Sequence, residues 1–191
     1  MTLTSCAQIP LVPHTPAPLI GNGYPEKLDV SEPGPREVVV VVNNNVKMVH
    51  AGMFAGETLL DPAGSYEYSR RLEPGWKGVS LQDYVRFQLD DGPTVKLYRF
   101  SLPLEQFVQI KERLDTAGRT MPLFCAAKVQ NIISGIAPFE SVPDAWIVFP
   151  STLARYLDAV ISTGQMAGVC LWPNGASCYP TPGESLETAM K

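Results

Sequence analysis

The chain has 191 residues, is 45% hydrophobic and carries a formal charge of −4. Those totals fit one compact domain with its own core. The acidic balance and the lack of a dense Lys/Arg run argue against a dedicated nucleic-acid binder, and the longest aliphatic run, residues 38–42, is far too short to span a bilayer.

Residues 1–36 hold seven prolines, a density that erases any periodicity. The spacing predicts an extended arm, either wrapped on the surface or disordered. No secretory pattern precedes it, because the first basic side chain is Lys27 and no apolar stretch leads to a cleavage-like site. Leu3 to Cys6 resembles a lipoprotein box in letters only. The expectation is synthesis in the cytoplasm, with any export left to a route that needs no classical signal.

Regular structure is expected from residue 37, in a single domain over 37–179, with a loosely attached tail over 180–191. Residues 38–42 are all valine, which suits a strand buried on both faces. Asn43, Asn44 and Asn45 read as a turn. Residues 46–54 read as a second strand, Ala55 and Gly56 as a tight turn, and residues 57–61 as a third strand ended by Pro62. Residues 67–79 read as irregular. Ser80 is placed to cap a helix with Leu81, Tyr84, Val85 and Leu89 on its apolar face. A strand over 95–102 follows. The clearest helix spans 104–117, with a stripe of Leu104, Phe107, Val108, Ile110 and Leu114 and a stop at Gly118. Residues 125–134 form the next helix, closed by Gly135. Ser151 is placed to cap a helix to about residue 161, and 166–172 read as a last strand. Cys170 and Cys178 flank a turn-rich loop; they are either a bridge, implying an oxidising site of action, or two unrelated thiols.

The stretch from Pro122 to Ile133 puts Cys125 where a loop becomes a helix. A thiol there meets unpaired backbone N–H groups and the positive end of the helix dipole, which lowers its pKa. Cys125 is then a nucleophile or, in the plainer reading, a small buried hydrophobe. A cysteine nucleophile needs a base, and the chain has two histidines. His14 lies in the proline arm; His50 lies on a strand and is the candidate. A hairpin turning at Ala55 and Gly56 sets His50 opposite Asp61, close enough for a carboxylate to orient the imidazole. A slip of one residue sends Asp61 to the other face. Glu57 is a weaker alternate, nearer the hairpin tip. Two cysteines without an adjacent histidine make a poor zinc site, and this chemistry needs no metal or cofactor.

A strand histidine, a polar residue on the next strand and a helix-start cysteine far downstream resemble, in that order, the circularly permuted branch of NlpC-like, papain-fold cysteine hydrolases. Lecithin:retinol acyltransferase-like proteins share the arrangement. The resemblance covers about residues 37–165. It implies an α+β fold with an antiparallel sheet packed against helices, and a triad of Cys125, His50 and Asp61. The acyltransferases' usual second histidine is here Asp61, which favours hydrolysis over lipid acyl transfer. The implied reaction is acyl transfer through a thioester, with the oxyanion held by the N–H of Cys125 and a neighbouring donor such as that of Ala126. Ser65 and Tyr66 are weaker candidates to line the cleft. Small signal-less members resemble type VI secretion effectors that cut peptidoglycan stem peptides. That implies a peptidoglycan substrate, a secretion-apparatus carrier, a cognate immunity protein and action in a target cell's periplasm. The alternatives are a lipid acyltransferase or thioesterase of the same superfamily, or a catalytically inactive binding module.

Overall fold

A computed structural model describes residues 28–45, 49–66, 75–163 and 168–179. The arm over 1–27 with His14, residues 46–48 of the second strand, residues 166 and 167 of the last strand, and the tail over 180–191 lie outside the described residues.

The chain builds an α+β structure around one antiparallel sheet. Its strands are β1 (Glu37–Asn44), β2 (Val49–Ala55), β3 (Thr58–Leu60), β4 (Gly75–Lys77), β5 (Val95–Ser101) and β6 (Gly168–Leu171), in the order β4-β3-β2-β1-β5-β6. The all-valine run lies in β1, near the middle. Val38, Val40 and Val42 face a large apolar cluster, whereas Val39 and Val41 face a smaller one. A strand with cover on both faces has no use for polar alternation, hence the unbroken run. Helices α2 (Leu104–Asp115), α3 (Cys125–Ile133) and α4 (Pro150–Ser162) supply the large cluster, and α1 (Leu81–Leu89) the smaller one.

Several expected boundaries move. Asn43 and Asn44 do not turn the chain; they extend β1, opposite His50 and Val49. Tertiary bonds overrule the local turn preference, because the Asn43 amide donates to the Gln88 carbonyl and side chain and to Asp91. Of the segment expected to be irregular, residues 67–74 lie outside the described residues, and residues 75–77 form β4, with Trp76 buried opposite Leu59. Ser80 caps α1 as expected, accepting from the Asp83 N–H at 3.0 Å, and the Glu32 carboxylate takes the Leu81 N–H at 2.8 Å. That contact and the bonds from Arg99 to the Ser31 and Glu32 carbonyls strap the described end of the proline arm onto the domain.

In α2 only Ile110 and Leu114 are buried, while Leu104 and Val108 are exposed. Phe107 packs half-buried against the same core, so Leu104 and Val108 are the members of the predicted stripe left outside it. The helix ends at Thr116, whose hydroxyl bonds back to the Glu112 carbonyl, before Gly118 is reached. Pro150 occupies the first turn of α4 with Phe149 ahead of it, so Ser151 is inside the helix and is not its cap. Cys170 and Cys178 are bridged.

Candidate active site

The hairpin between β2 and β3 decides whether a site exists. Met53 lies opposite Leu60, Phe54 opposite Leu59 and Ala55 opposite Thr58, so the turn falls at residues 56 and 57. Gly56 takes the left-handed backbone that the turn demands, at φ +56°. The expected turn at Ala55 and Gly56 is therefore wrong by one residue, and every cross-strand partner moves by two. A shift of two preserves the face. Carried one step past β3, the pairing sets Asp61 beside Gly52, a diagonal neighbour of His50 on the same side.

That diagonal is short enough. His50 Nε2 lies 3.0 Å from Asp61 Oδ1, and both side chains are buried. The N–H points off the line to the oxygen, so the contact is an ion pair and not a straight hydrogen bond. The Asp61 carboxylate is held from behind. Its Oδ2 accepts from the Tyr66 N–H at 2.6 Å and from the Ser65 hydroxyl at 3.2 Å. These bonds give Ser65 and Tyr66 a part in fixing the carboxylate, and the Tyr66 ring packs inward against Trp76, Tyr84 and Phe87.

Cys125 is the first residue of α3 and is 2% exposed. No side chain caps this helix, and a 3₁₀ turn over Pro122–Phe124 leads directly into it. The Ala126 N–H bonds to the thiol, and so does the Ala51 N–H of β2. The second donor exists because β3 pairs with β2 only at residues 53–55. Beside Ala51 the edge of β2 has no strand partner among the described residues, and the thiol takes that position. Cys125, His50 and Asp61 thus come together from α3, β2 and the end of β3. Glu57, the alternate, lies exposed in the turn.

The electrostatics agree with the geometry. Burial opposes a thiolate at Cys125 more than any one neighbour favours it. The His50 charge and hydrogen bond, with the N–H groups of Ala51 and Ala126, outweigh burial and hold the thiol below its ordinary range. Burial likewise opposes charge on His50, yet Cys125 and Asp61 together raise it. At Asp61 burial again acts upward, while His50, the Tyr66 N–H and Ser65 bring the carboxyl below its usual value. The favoured state is thiolate, imidazolium and carboxylate.

Two features escaped the sequence reading. One is the Ala51 N–H, whose availability depends on how short β3 is. The other is Tyr84, placed only on an apolar helix face. A glycine inside a strand signals close approach of another group, and the group that approaches Gly52 is the Tyr84 hydroxyl. On the outer flank of α3, a groove of about 360 Å³ runs past Phe124, bordered by Arg119, Met121, Lys128 and Trp146. Among the described residues no cluster of His, Cys, Asp and Glu is suited to hold a metal ion, and no helix is long and apolar enough to cross a membrane. Compared with family models, curated proteins and solved structures, the chain matches none.

Proposed function

We propose that this protein is a cysteine hydrolase of amide bonds, acting through Cys125, His50 and Asp61 on peptidoglycan stem peptides, and that its fold is a permuted relative of the NlpC-like, papain-type fold. The observation that carries the reading is the ion-paired trio at an uncapped helix start. A buried cysteine serving only the core needs neither a histidine beside it nor a carboxylate held by two further donors.

In this reading the thiolate attacks an amide carbonyl carbon and the carbonyl π electrons move to oxygen. The Cys125 and Ala126 N–H groups steady that oxyanion. With Nε2 turned to Asp61, Nδ1 is the nitrogen left to pass its proton to the departing amine. Collapse expels the amine and leaves a thioester. Neutral His50 then takes a proton from water, whose oxygen attacks the thioester and releases the carboxylic acid and the thiolate. Asp61 keeps the ring oriented throughout. The thiol is covered in this structure, so entry of a peptide requires a neighbouring segment to part. The groove beside Phe124, with two basic residues and Trp146, offers such a peptide a surface on which to lie.

The proposed effector role follows from the resemblance and from the Cys170–Cys178 bridge, which suits an oxidising compartment. It brings with it an export carrier, an immunity protein and a site of action in the periplasm. The near-complete cover of Cys125 favours a second reading, a non-catalytic module in which the trio is retained and unused.

Digestion of purified peptidoglycan, read by mass spectrometry, separates the two. Wild type is expected to release new amine-terminated fragments and Cys125→Ala to release none. Equal cleavage by the variant removes Cys125 from the mechanism, and no cleavage by either supports the module.

A further inference from the structure

Tyr84 is fully buried on α1, and its hydroxyl has no hydrogen-bond partner among the described residues. A buried polar group without a partner is costly and calls for a reason. Its location supplies one. A Cβ built on Gly52 would lie 2.1 Å from the Tyr84 hydroxyl oxygen, so the phenol rests directly on the backbone of β2. Gly52 lies two residues from His50 on the same face, follows the Ala51 whose N–H meets the thiol, and neighbours Asp61 across the hairpin. The ring cannot drift from this position, because Phe54 and Tyr66 pack on it at centroid distances of 5.7 and 5.5 Å.

We propose that Tyr84 is a positioning residue of the trio: pressed against Gly52, its hydroxyl turns its hydrogen toward the Asp61 and Cys125 anions and holds the ion-paired arrangement in place. The inference rests on the cysteine-hydrolase reading and adds to it a fourth member supplied by α1. The titratable groups facing this point are His50 from β2, Asp61 and Tyr66 from the stretch after β3, Cys125 from α3 and Tyr84 itself. Two of them are anions in the ion-paired state and one is a cation, so the trio carries a net negative charge inside the protein. An O–H dipole aimed at it offsets part of that cost without adding another charge. Burial, then the charges of Asp61 and Cys125, keeps the phenol protonated, so toward these anions it acts only as a donor. Gly52 is then the residue that admits it.

The test is the ultraviolet absorbance of the Cys125 thiolate against pH, in full-length protein carrying Cys6→Ser so that Cys125 is the single free thiol. This signal needs no reagent to reach the buried sulfur. Tyr84→Phe keeps the ring and loses the hydroxyl. The thiolate midpoint is expected to rise by about half to one pH unit, leaving about 3- to 10-fold less thiolate on the acid side. Phe54→Leu, which disturbs the same aromatic packing, is expected to lower stability and leave the midpoint where it was. A low wild-type midpoint that is unchanged in Tyr84→Phe overturns the role of the tyrosine and spares the trio. A midpoint shifted equally by Phe54→Leu reduces Tyr84 to packing and overturns the proposal. A wild-type midpoint in the ordinary thiol range overturns the ion-paired trio, and Tyr84's role with it.

Discussion

At the scale of single residues the account turns on who holds charge. In the proposed mechanism His50 supplies the proton that the leaving amine takes, so His50→Ala is expected to lower turnover by about 100- to 10,000-fold. Trp146, 80% exposed at the groove, touches none of the trio's charges. Trp146→Ala is therefore expected to raise KM for peptide and leave the thiolate midpoint unchanged. The charges also tie stability to pH. His50 is pushed up from its ordinary value of 6.5 to about 10. A raised cation stabilises the fold fully below its unfolded value, and that contribution fades as pH climbs through the folded one. Cys125 and Asp61 are lowered, so their contributions are complete above their unfolded values and fade as pH falls through the folded ones. Below about pH 8.5 the gain at Cys125 offsets the loss at His50, so denaturant midpoints of wild type are expected to hold nearly level from about pH 7 to 8.5 and to decline from there to about pH 10. A wild-type midpoint that does not fall above about pH 8.5 would show that His50 is not held charged. Cys125 and His50 were legible in the sequence because a helix-start cysteine and a strand histidine are local signals. Tyr84 was not, because its apolar ring satisfied the helix pattern and hid its hydroxyl.

At the scale of elements the hairpin carries the most information. Two strands were expected here and two are found, but their ends differ and the turn was misplaced by one residue. Residues 55, 56 and 57 leave two adjacent positions for the turn, and packing decides between them: the observed register buries Leu59 and Leu60 on opposite faces. The site survived because a change of two keeps Asp61 on the face of His50. Asn43 to Asn45 misled for the opposite reason, since the bonds that hold Asn43 in β1 come from residues more than forty positions away. Gly52→Ala tests the fit of the element. Its Cβ would sit 2.1 Å from the Tyr84 oxygen and 3.1 Å from the Leu60 carbonyl, so a loss of about 1–3 kcal/mol is expected in urea denaturation. Tyr84→Phe in the same background is expected to restore part of it. No recovery would place the clash on the Tyr84 ring carbon at 2.9 Å and the Leu60 carbonyl, both of which that variant keeps.

At the scale of the whole molecule, the mixture of strands and helices was legible in the valine run and the helix periods, while the antiparallel sheet was expected only from the resemblance. The strand order did not, because nothing local tells β5 to lie beside β1 or β6 to close that edge. The edge is secured covalently, as Cys170 on β6 is bridged to Cys178. The next residue, Tyr179, donates to Asp158 of α4 at 2.7 Å, and Tyr98 of β5 donates to the same oxygen at 2.8 Å. The bridge thus binds the last loop to the helix layer. Cys170→Ser with Cys178→Ser is expected to cost about 2–3 kcal/mol in the chain-entropy picture. A loss near zero would mean that the hydrogen bonds hold this edge without the bridge.

The central claim is that Cys125 rests as a thiolate because His50 faces it. The most direct measurement is the rate of Cys125 alkylation by iodoacetamide against pH, in Cys6→Ser protein with and without His50→Ala. The account predicts that modification of the parent persists well below the ordinary thiol range of about 8.5, and that His50→Ala loses this acid limb. A parent profile that follows a free thiol, or one that His50→Ala leaves unchanged, would contradict it.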